Sequence, residues 1–238
     1  MKNKKILICI FSYNVEDYID KVFKNLKKYK HLNKSILFIN DCSTDKTKEK
    51  INNIKKKNNK TKIVIINNKT NKGYGGNYKI AIKFALKNNF QKLIFLHGDN
   101  QYPASKISKL IKYLDTSDLT FGSRISNKNS SYKNMPRLKL YVNKVLTFFI
   151  NLLFNVNFSE YFSGFRGFKL DKLKKIKMQN LSNSYPIEQQ IHYIFIKKKF
   201  KIKEFPIPTV YEDQISRIPP IKYVLTVMFN AIYLALLK

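Results

Sequence analysis

The sequence predicts an α/β fold in which a mostly parallel sheet is flanked by helices on both faces. In the first half of the chain, short apolar runs of strand length alternate with longer segments of helical periodicity. The apolar runs lack the polar–apolar alternation that marks a half-exposed strand, so each strand should be buried on both faces. Such an alternation of strands and helices is typical of parallel sheets joined by crossover helices. The 238 residues suffice for one large domain with a buried core.

Apolar spacing locates the elements of the first half. Strands are expected at residues 5–11, 35–40, 62–66 and 93–96, and helices at residues 15–29, 45–57, 73–86 and 103–114. The polar segment 41–45 ends the second strand, and its last residues can cap the helix that follows. That helix is strongly charged and should lie at the surface.

The second half of the chain differs in character. A strand is expected at residues 119–123, a long helix at 137–156, a helix at 187–196, a strand at 201–208 and a C-terminal helix at 223–237. The long helix has a very wide apolar face, and its polar residues recur every four positions on a narrow stripe: Lys139, Asn143, Thr147 and Asn151. No stretch offers the roughly 18 uninterrupted apolar residues of a membrane span. We expect residues 1–215 to form a single domain and residues 216–238 an amphipathic, interfacial helix.

The chain is strongly basic, with 46 Lys and Arg residues against 15 Asp and Glu and a formal charge of +31. A composition bias throughout the genome would explain this charge, and so would a surface that meets nucleic acid or an anionic membrane. A basic nucleic-acid-binding protein is therefore one alternative. It lacks support from any basic-plus-aromatic motif such as that of an RRM, and we expect no nucleic-acid partner.

Cysteine usage and the first residues both indicate the cytosol. Cys9 and Cys42 form neither a disulfide framework nor a zinc-binding spacing, which suits a reducing compartment. The apolar run at residues 5–11 is too short for a signal peptide and lacks a small-residue cleavage site. We therefore expect a cytoplasmic protein.

Three loops after predicted strands are rich in oxygen and nitrogen ligands. They are Ser12-Tyr13-Asn14, the segment 41–45 and His97-Gly-Asp-Asn-Gln101. The carboxyl ends of parallel strands meet at one edge of the sheet, which is where open α/β sheets bind ligands. The three loops together favour a binding cleft, although an Asx-type turn would also explain Asp99.

The residue types in these loops suit a nucleotide-diphosphate leaving group. Asp41 would hydrogen-bond the base or the ribose, and Asp99 with Gln101 would hold Mg²⁺ or Mn²⁺ between the phosphates. Arg124 or Arg217 would neutralise the charge that develops as the sugar–phosphate bond breaks. These are two of only four arginines, which gives them weight in a lysine-rich chain.

The glycines at the start of the third helix are compatible with a close backbone approach to a ligand. Gly73-Tyr-Gly75-Gly76 lacks the spacing of a dinucleotide fingerprint and of a P-loop. A glycine-rich helix start can nevertheless admit a ligand, so Gly73 is a candidate nucleotide-sugar contact. No Gly-x-Ser-x-Gly or His-Glu-x-x-His motif is present, which excludes the common hydrolase and zinc-protease signatures.

The order of the motifs resembles that of family 2 glycosyltransferases, over nearly the whole chain. Phe11-Ser-Tyr-Asn-Val-Glu16, Ile39-Asn-Asp-Cys-Ser-Thr-Asp45 and His97-Gly-Asp-Asn-Gln-Tyr-Pro103 resemble the motifs of the family's first half. Gly122-Ser-Arg124, Ser163-Gly-Phe-Arg166, Glu204-Phe-Pro-Ile207 and Ser216-Arg217 resemble those of the polyprenyl-phosphate branch, typified by dolichol-phosphate mannose synthases. The resemblance implies a GT-A fold, with a Rossmann-like sheet and C-terminal amphipathic helices.

The resemblance also implies roles for residues on the donor side. Tyr13, Glu16 and Ile39 would line the base pocket, beside Ser12, Asn14 and Asp41. His97 stands where the family has the first Asp of its metal motif, which leaves Asp99 and Gln101 as ligands and His97 as a possible third. An imidazole would shift the preference towards Mn²⁺. The alternative for His97 is a hydrogen bond to a neighbouring loop.

On the acceptor side, the resemblance leaves alternatives open. Glu188 would serve as general base for an acceptor hydroxyl, or would be structural if the acceptor is an ionised phosphate. Arg124 and Arg217 would contact phosphates, or would form surface ion pairs of little energetic value. Arg166 would brace the Ser-Gly-Phe-Arg turn.

The implied activity is an inverting transfer of sugar from a UDP- or GDP-sugar to a membrane-linked acceptor, such as a polyprenyl phosphate. The alternatives are elongation of a surface polysaccharide or glycolipid and, on a similar sheet, a nucleotidyltransferase. The helices at 137–156 and 223–237 would lie on the cytosolic face of the membrane, pack in the core or form a dimer interface. A homo-oligomer or a membrane partner subunit is compatible with the sequence.

Overall fold

The computed structural model describes residues 5–29, 34–126, 135–208 and 220–237. The predictions for Ser216 and Arg217, and the expected boundary at residue 215, lie outside these residues.

A seven-stranded sheet forms the centre of the protein, in the order β3-β2-β1-β4-β6-β5-β7. The strands are β1 Ile6–Ser12, β2 Lys34–Asn40, β3 Ile63–Asn67, β4 Lys92–His97, β5 Leu119–Ser123, β6 Arg166–Lys169 and β7 Ile202–Pro206. Strand β6 runs antiparallel to both of its neighbours, and the other pairs are parallel. The mostly parallel sheet is confirmed, and β6 is an addition that the sequence analysis did not predict.

Eight α-helices surround the sheet in the described part of the chain. They are α1 Ile19–Lys27, α2 Thr47–Lys56, α3 Gly73–Lys87, α4 Ile107–Tyr113, α5 Arg137–Phe154, α6 Leu170–Leu173, α7 Pro186–Lys197 and α8 Pro220–Leu236. Helix α1 begins four residues later than predicted because the chain first makes a turn, in which the amides of Tyr18 and Ile19 donate to the carbonyl of Val15. Helix α5 ends two residues early because Asn155 adopts a left-handed conformation with φ 52°.

Apolar clusters on both faces of the sheet explain the unbroken apolar runs of its strands. In β1, Ile6, Ile8 and Ile10 pack in the cluster that also contains residues of α1, α2 and α4. Leu7 and Cys9 point to the opposite face and pack in a cluster with residues of α3 and α7. Residues 6–11 of the strand are therefore all apolar, whichever way they point.

Helices α5, α7 and α8 build a third apolar cluster outside the sheet. The polar stripe of α5 faces this interior rather than solvent, because Asn143 and Thr147 are buried. Asn151 donates to the carbonyl of Phe158 at 2.8 Å and accepts from the hydroxyl of Tyr161 at 2.8 Å. Part of the wide apolar face of α5 therefore remains exposed.

The exposed apolar residues lie on two helices. We call them the outer apolar face: Leu138, Tyr141, Val145, Phe148 and Leu152 of α5, and Ile221, Leu225, Phe229, Ile232, Tyr233 and Leu236 of α8. Among the helices of the described residues, none is both long and apolar enough to cross a bilayer.

Because polar residues of α5 face the interior and apolar residues face outward, replacing a polar residue should cost more stability than replacing its apolar neighbour. Asn151→Ala should lower the free energy of unfolding by about 1–3 kcal/mol, because it leaves the polar groups of Phe158 and Tyr161 without their partner. Leu152→Ala, at the next position, should change it by less than about 0.5 kcal/mol, because Leu152 is 71% exposed. Urea unfolding measures both values, and a larger loss for Leu152→Ala would contradict this orientation.

Candidate active site

The loops after β1 and β2 are joined by side chains that were predicted to contact a nucleotide. Asn14, at φ 49°, accepts from the amide of Thr44 at 2.9 Å. Glu16 accepts from the amide of Lys46 at 2.9 Å, and its own amide donates to Asp45 Oδ2 at 3.1 Å. Asn14 and Glu16 thus hold two loops of the cleft in register with each other.

Asp41 connects the end of β2 to the start of α3. Its Oδ1 accepts from the amide of Lys72 at 2.8 Å and from Asn68 Nδ2 at 2.7 Å, and its Oδ2 accepts from the amide of Gly73 at 3.1 Å. A carboxylate oxygen can accept two hydrogen bonds, so among these contacts Oδ2 retains one acceptor position. The buried carboxylate is therefore a structural tie that can still bind one further donor.

Two residues assigned to the base pocket have buried side chains. Ile39 is fully buried in the cluster that packs under α3, so its side chain faces the core, and a contact of its backbone with the base stays a prediction. Ser12 is also buried, and it is its carbonyl that accepts the amide of Asp41 at 2.9 Å. Tyr13 is exposed.

The glycine-rich start of α3 packs closely against the backbone of residues 182–184, the loop before α7. The amides of Gly75 and Gly76 donate to the carbonyl of Asn183 at 2.9 and 3.1 Å. A Cβ on Gly75 would lie 2.4 Å from the carbonyl oxygen of Ser182. The close approach was predicted, but the group that approaches is the loop before α7 rather than a ligand. Gly73, at φ +73°, belongs to the same packing and donates its amide to Asp41.

His97 and Asp99 lie together after β4. Asp99 Oδ1 accepts from the amide of Gln101 at 3.0 Å, so the Asx-type turn is present, and Asp99 Oδ2 lies 4.0 Å from His97 Nδ1. Both side chains are about a quarter exposed, at 27% for Asp99 and 23% for His97. Nε2 of His97 lies 3.1 Å from the hydroxyl of Tyr74, so the expected hydrogen bond exists, but its partner belongs to α3.

The donor set at this turn fits a divalent cation that is completed by its substrate. Within the residues that the structure describes, no group of three or more His, Cys, Asp or Glu side chains forms a complete metal site. Asp99 and Gln101 offer oxygens, and His97 offers a nitrogen beside them. Mg²⁺ and Mn²⁺ bound with nucleotides take one or two protein ligands and fill the other positions with phosphate and water. The set fits that pattern.

Glu188, at the start of α7, is held by three neighbours, of which Tyr78 and Arg166 are buried and Tyr74 is partly buried. Its Oε1 accepts from Tyr74 at 2.7 Å and from Tyr78 at 3.1 Å, and it lies 3.4 Å from Arg166 Nε. Burial raises the pKa of both tyrosines well above the usual range, and the charge of Glu188 raises it further. Both hydroxyls are therefore protonated donors.

Arg166 braces the loop before β6. Its Nε donates to the carbonyl of Ser163 at 2.8 Å, and its Nη2 donates to the carbonyl of Tyr161. Burial alone would lower the pKa of Arg166, but the carboxylate of Glu188 and the hydroxyls of Tyr78, Tyr74 and Tyr102 together outweigh that effect and the pKa is raised. On the other side of Arg166, burial lowers the pKa of His192 well below its usual range, and the charge of Arg166 adds to the effect. The predicted brace is present.

Arg124 forms a buried ion pair. Its amide donates to Glu160 Oε2 at 2.6 Å, its Nε donates to Oε1 at 2.7 Å, and its Nη2 also contacts Oε1. The alternative of a surface ion pair is wrong, because both residues are buried. A phosphate contact of Arg124 stays a prediction. Glu160 was missed because it stands in an irregular segment outside every motif.

Lys139, at the start of α5, is a further cation beside the site. Partial burial lowers its pKa, as does the charge of Arg124, while Glu160 and Asp99 oppose the shift. The ammonium group is therefore close enough to interact with Asp99. The sequence offered one signal, since Lys139 is the only charged member of the polar stripe of α5.

The comparisons with known proteins identify the family. The family model for glycosyl transferase family 2 matches residues 7–177, well over half of the chain. The chain belongs to glycosyl transferase family 2. It is a glycosyltransferase, and the predicted family and enzyme class are confirmed.

Similar proteins include archaeal relatives of nearly the same length. An uncharacterised protein of Methanocaldococcus jannaschii is 31% identical over 88% of this chain and 83% of its own. The UDP-N-acetylglucosamine–dolichyl-phosphate N-acetylglucosaminyltransferase of Methanococcus voltae is 30% identical over 90% of this chain and 88% of its own. An undecaprenyl-phosphate mannosyltransferase of Micrococcus luteus is 20% identical over 63% of this chain and 61% of its own.

Solved structures confirm the GT-A glycosyltransferase fold. The glucosyl-3-phosphoglycerate synthase of Mycobacterium tuberculosis, in complex with Mn²⁺, UDP and phosphoglyceric acid, matches 99% of this chain and 80% of its own with a TM-score of 0.70 at 10% identity. TarS of S. aureus in complex with UDP-GlcNAc matches 98% of this chain and 68% of its own with a TM-score of 0.62 at 18% identity.

The packing at the start of α3 predicts different effects for two neighbouring glycines. Gly75→Ala should lower the free energy of unfolding by about 1–3 kcal/mol, because its Cβ would collide with the backbone of Ser182. Gly76→Ala should cost less than about 0.5 kcal/mol, because its Cβ meets only the Lys72 side chain at 3.0 Å and alanine favours the helix. Urea unfolding compares the two variants, and equal losses would show that the loop at 182–184 does not pack as described.

Proposed function

We propose that this glycosyltransferase moves a sugar, with inversion, from a UDP-sugar to a polyprenyl phosphate at the cytosolic face of a membrane. The observation that carries the proposal is the position of the cleft beside the outer apolar face. Near the start of α5, burial lowers the pKa of Lys139, and the charges of Glu160 and Asp99 oppose that shift. Near the start of α8, the ring of Tyr223 packs against Tyr185, three residues before Glu188, and against Phe162, at centroid distances of 5.2 and 5.8 Å. Both helices thus begin at the cleft and carry exposed apolar residues away from it.

The donor side of the cleft supports a nucleotide-diphosphate sugar. The remaining acceptor position of Asp41 Oδ2 suits an N–H of the base or a hydroxyl of the ribose. The archaeal relative with a UDP-sugar in its name and the UDP-bound structures of the same fold favour uridine over guanosine. Tyr13 is exposed at the end of β1 and is available to the base.

Asp99, Gln101 and His97 would hold Mg²⁺ or Mn²⁺. When bound, the cation supplies positive charge to the diphosphate as it leaves. The structure bound to Mn²⁺ and UDP supports a divalent ion in this fold. Lys139 adds positive charge at the same end of the cleft, where Arg124 is held in its ion pair with Glu160.

Glu188 supports a phosphate rather than a hydroxyl as acceptor. Its side chain is only 12% exposed, and its Oε1 is held by Tyr74, Tyr78 and Arg166. A carboxylate held in this way is poorly placed to take a proton from a sugar hydroxyl. An ionised phosphate needs no base: one of its oxygens attacks C1 of the sugar, the bond from C1 to the diphosphate breaks, and the nucleoside diphosphate leaves. A single displacement of this kind inverts the anomeric carbon.

The outer apolar face supports contact with the membrane that contains such an acceptor. Large exposed apolar surfaces mark interaction sites, and the formal charge of +31 favours an anionic leaflet. The relatives that act on dolichyl and undecaprenyl phosphates use lipid acceptors. The helices of this face would therefore lie in the membrane interface.

The reaction is tested with UDP-sugars, Mn²⁺ or Mg²⁺, and vesicles that contain a polyprenyl phosphate. We expect transfer to the lipid, and we expect Asp99→Ala to reduce it by about 10²-fold or more, because a charge-stabilising ligand of the leaving group is lost. The matched control is Asp171→Ala, which removes an exposed carboxylate far from the cleft motifs.

Two results would contradict the proposed reaction. One is an Asp99→Ala variant that transfers sugar as fast as the wild type. The other is transfer to a sugar hydroxyl of a glycan or glycolipid with no transfer to the phosphate. The second result would restore Glu188 as a candidate base.

Membrane contact is tested by vesicle sedimentation. Phe148→Glu should reduce binding to anionic vesicles by about 10-fold or more, because Phe148 is 73% exposed and burying a Phe side chain contributes about 1.5–3 kcal/mol. Gln91→Glu adds the same charge just before β4, at the end of the sheet opposite the cleft, and should leave binding unchanged. If Phe148→Glu instead converts a dimer to a monomer in light scattering and vesicle binding persists, the face is a dimer interface.

A further inference from the structure

We propose that Tyr74 and Glu188 are positioning residues, which fix the tautomer of His97 so that its Nδ1 lone pair is available to the divalent cation. This inference rests on the proposed function, because the cation is that of the sugar-transfer site. It assigns a role to a tyrosine that no motif singled out and replaces the candidate role of Glu188 as a base.

The hydrogen bonds allow only one direction for the proton of Tyr74. Its hydroxyl lies 2.7 Å from Glu188 Oε1 and 3.1 Å from His97 Nε2. A carboxylate can only accept hydrogen bonds, and a tyrosine hydroxyl has one proton to donate. Tyr74 therefore donates to Glu188, which is charge-paired with Arg166 at 3.4 Å.

The direction of that bond determines the protonation of the imidazole. Since the proton of Tyr74 points to Glu188, the hydroxyl oxygen must accept from His97, and Nε2 of His97 carries the hydrogen. In a neutral imidazole the other nitrogen, Nδ1, then has a free lone pair. Metal-binding histidines are commonly oriented in this way, by a partner on the nitrogen that faces away from the metal.

Nδ1 faces the carboxylate that was predicted to bind the metal. The distance from Nδ1 to Asp99 Oδ2 is 4.0 Å, which is too long for a direct hydrogen bond. Two bonds of about 2.1 Å each span at most about 4.2 Å, so both atoms would still be within reach of one cation held between them. Two acceptor atoms at this separation suit a shared cation.

Close packing prevents the ring from turning over. A Cβ on Gly164 would lie 2.4 Å from His97 Nε2, so the imidazole is seated directly against this glycine. The rings of Tyr74 and Tyr102 contact the imidazole edge-on, at centroid distances of 5.5 and 5.0 Å. The orientation of His97 is thus set by packing, and its tautomer is set by Tyr74.

The tautomer is measured on the metal-free full chain by two-bond ¹H–¹⁵N correlation spectra. The chain has three histidines, His31, His97 and His192, and the signal lost in His97→Asn assigns the relevant one. We expect the Nε2–H form in the wild type. Tyr74→Phe should produce a mixture of tautomers, because Nε2–H loses its acceptor.

Tyr78→Phe is the matched control. Tyr78 donates to the same Oε1 of Glu188 at 3.1 Å but makes no hydrogen bond to His97 among the described contacts. It should leave the tautomer unchanged. Glu188→Gln gives Tyr74 a partner that can donate, which frees its proton for His97, and should shift the imidazole towards the Nδ1–H form.

Binding of Mn²⁺ in the presence of UDP is measured by electron paramagnetic resonance. We expect Tyr74→Phe to weaken Mn²⁺ binding by about 10-fold or more, as the loss of an orienting partner does in other metal sites, and Tyr78→Phe to leave it unchanged. An Nδ1–H tautomer in the wild type, or equal effects of the two variants, would overturn the inference. Neither the tautomer spectrum nor Mn²⁺ binding depends on turnover. If the protein transfers sugar but fails these two tests, only the role of Tyr74 and Glu188 is refuted. If it passes both tests but transfers no sugar, only the proposed function is refuted.

Discussion

The carboxylate of Glu188 is the contact on which the arrangement of the cleft depends. It links α7 to α3 through Tyr74 and Tyr78, and through Arg166 it links both helices to β6 and the loop before that strand. A carboxylate this far from solvent depends on its hydrogen bonds and on the charge of Arg166, because an unpaired carboxylate in the interior is costly. The network therefore fixes the distance between the wall of the cleft formed by α3 and the end of β4, where His97 and Asp99 lie.

A second constraint acts at the other side of the cleft, where α5 turns its polar stripe inward. Asn151 supplies hydrogen bonds to the irregular segment that leads to Glu160, and Glu160 holds Arg124. The same rotation of α5 leaves Leu138, Phe148 and their neighbours on the outside. The outer apolar face of α5 is therefore a consequence of the hydrogen bonds by which Asn151 holds the segment that leads to Glu160. The same helix thus contributes to the acceptor side of the cleft and to the outer apolar face.

The sequence predicted those features that depend on local pattern. The apolar runs identified the strands of the parallel half because burial on both faces requires every position to be apolar, as in β1. Asp41 and Asp99 could be singled out because each follows a buried strand at the edge of the sheet where ligands bind, and their ligand contacts stay predictions. Strand β6 was missed because it has only four residues, begins with Arg166 and pairs antiparallel, so no periodicity reveals it.

The contacts that complete the cleft could not be predicted because they join distant parts of the chain. Tyr74 and Glu188 are 114 residues apart, and Arg124 and Glu160 are 36 apart. In each pair, neither residue stands in a pattern that specifies its partner. Ile39 shows a further limit of motif reasoning: its place in a motif does not tell which way its side chain points, and the alternation of the strand directs that side chain into the core.

A histidine, His97, stands where the family has an aspartate, and this changes the charge balance of the cleft. Tyr74 compensates in part, because it orients His97 as a nitrogen ligand. An imidazole in place of a carboxylate removes one negative charge from a site that has Lys139 nearby and whose arginines, Arg124 and Arg166, are already paired with Glu160 and Glu188. With fewer negative ligands, the protein alone attracts a cation less strongly, while the diphosphate of the donor is attracted more strongly. Cation and nucleotide should then bind together, each supplying charge that the other needs. Such a site gains from a nitrogen ligand that is oriented in advance, because less ordering remains to be done when the donor arrives.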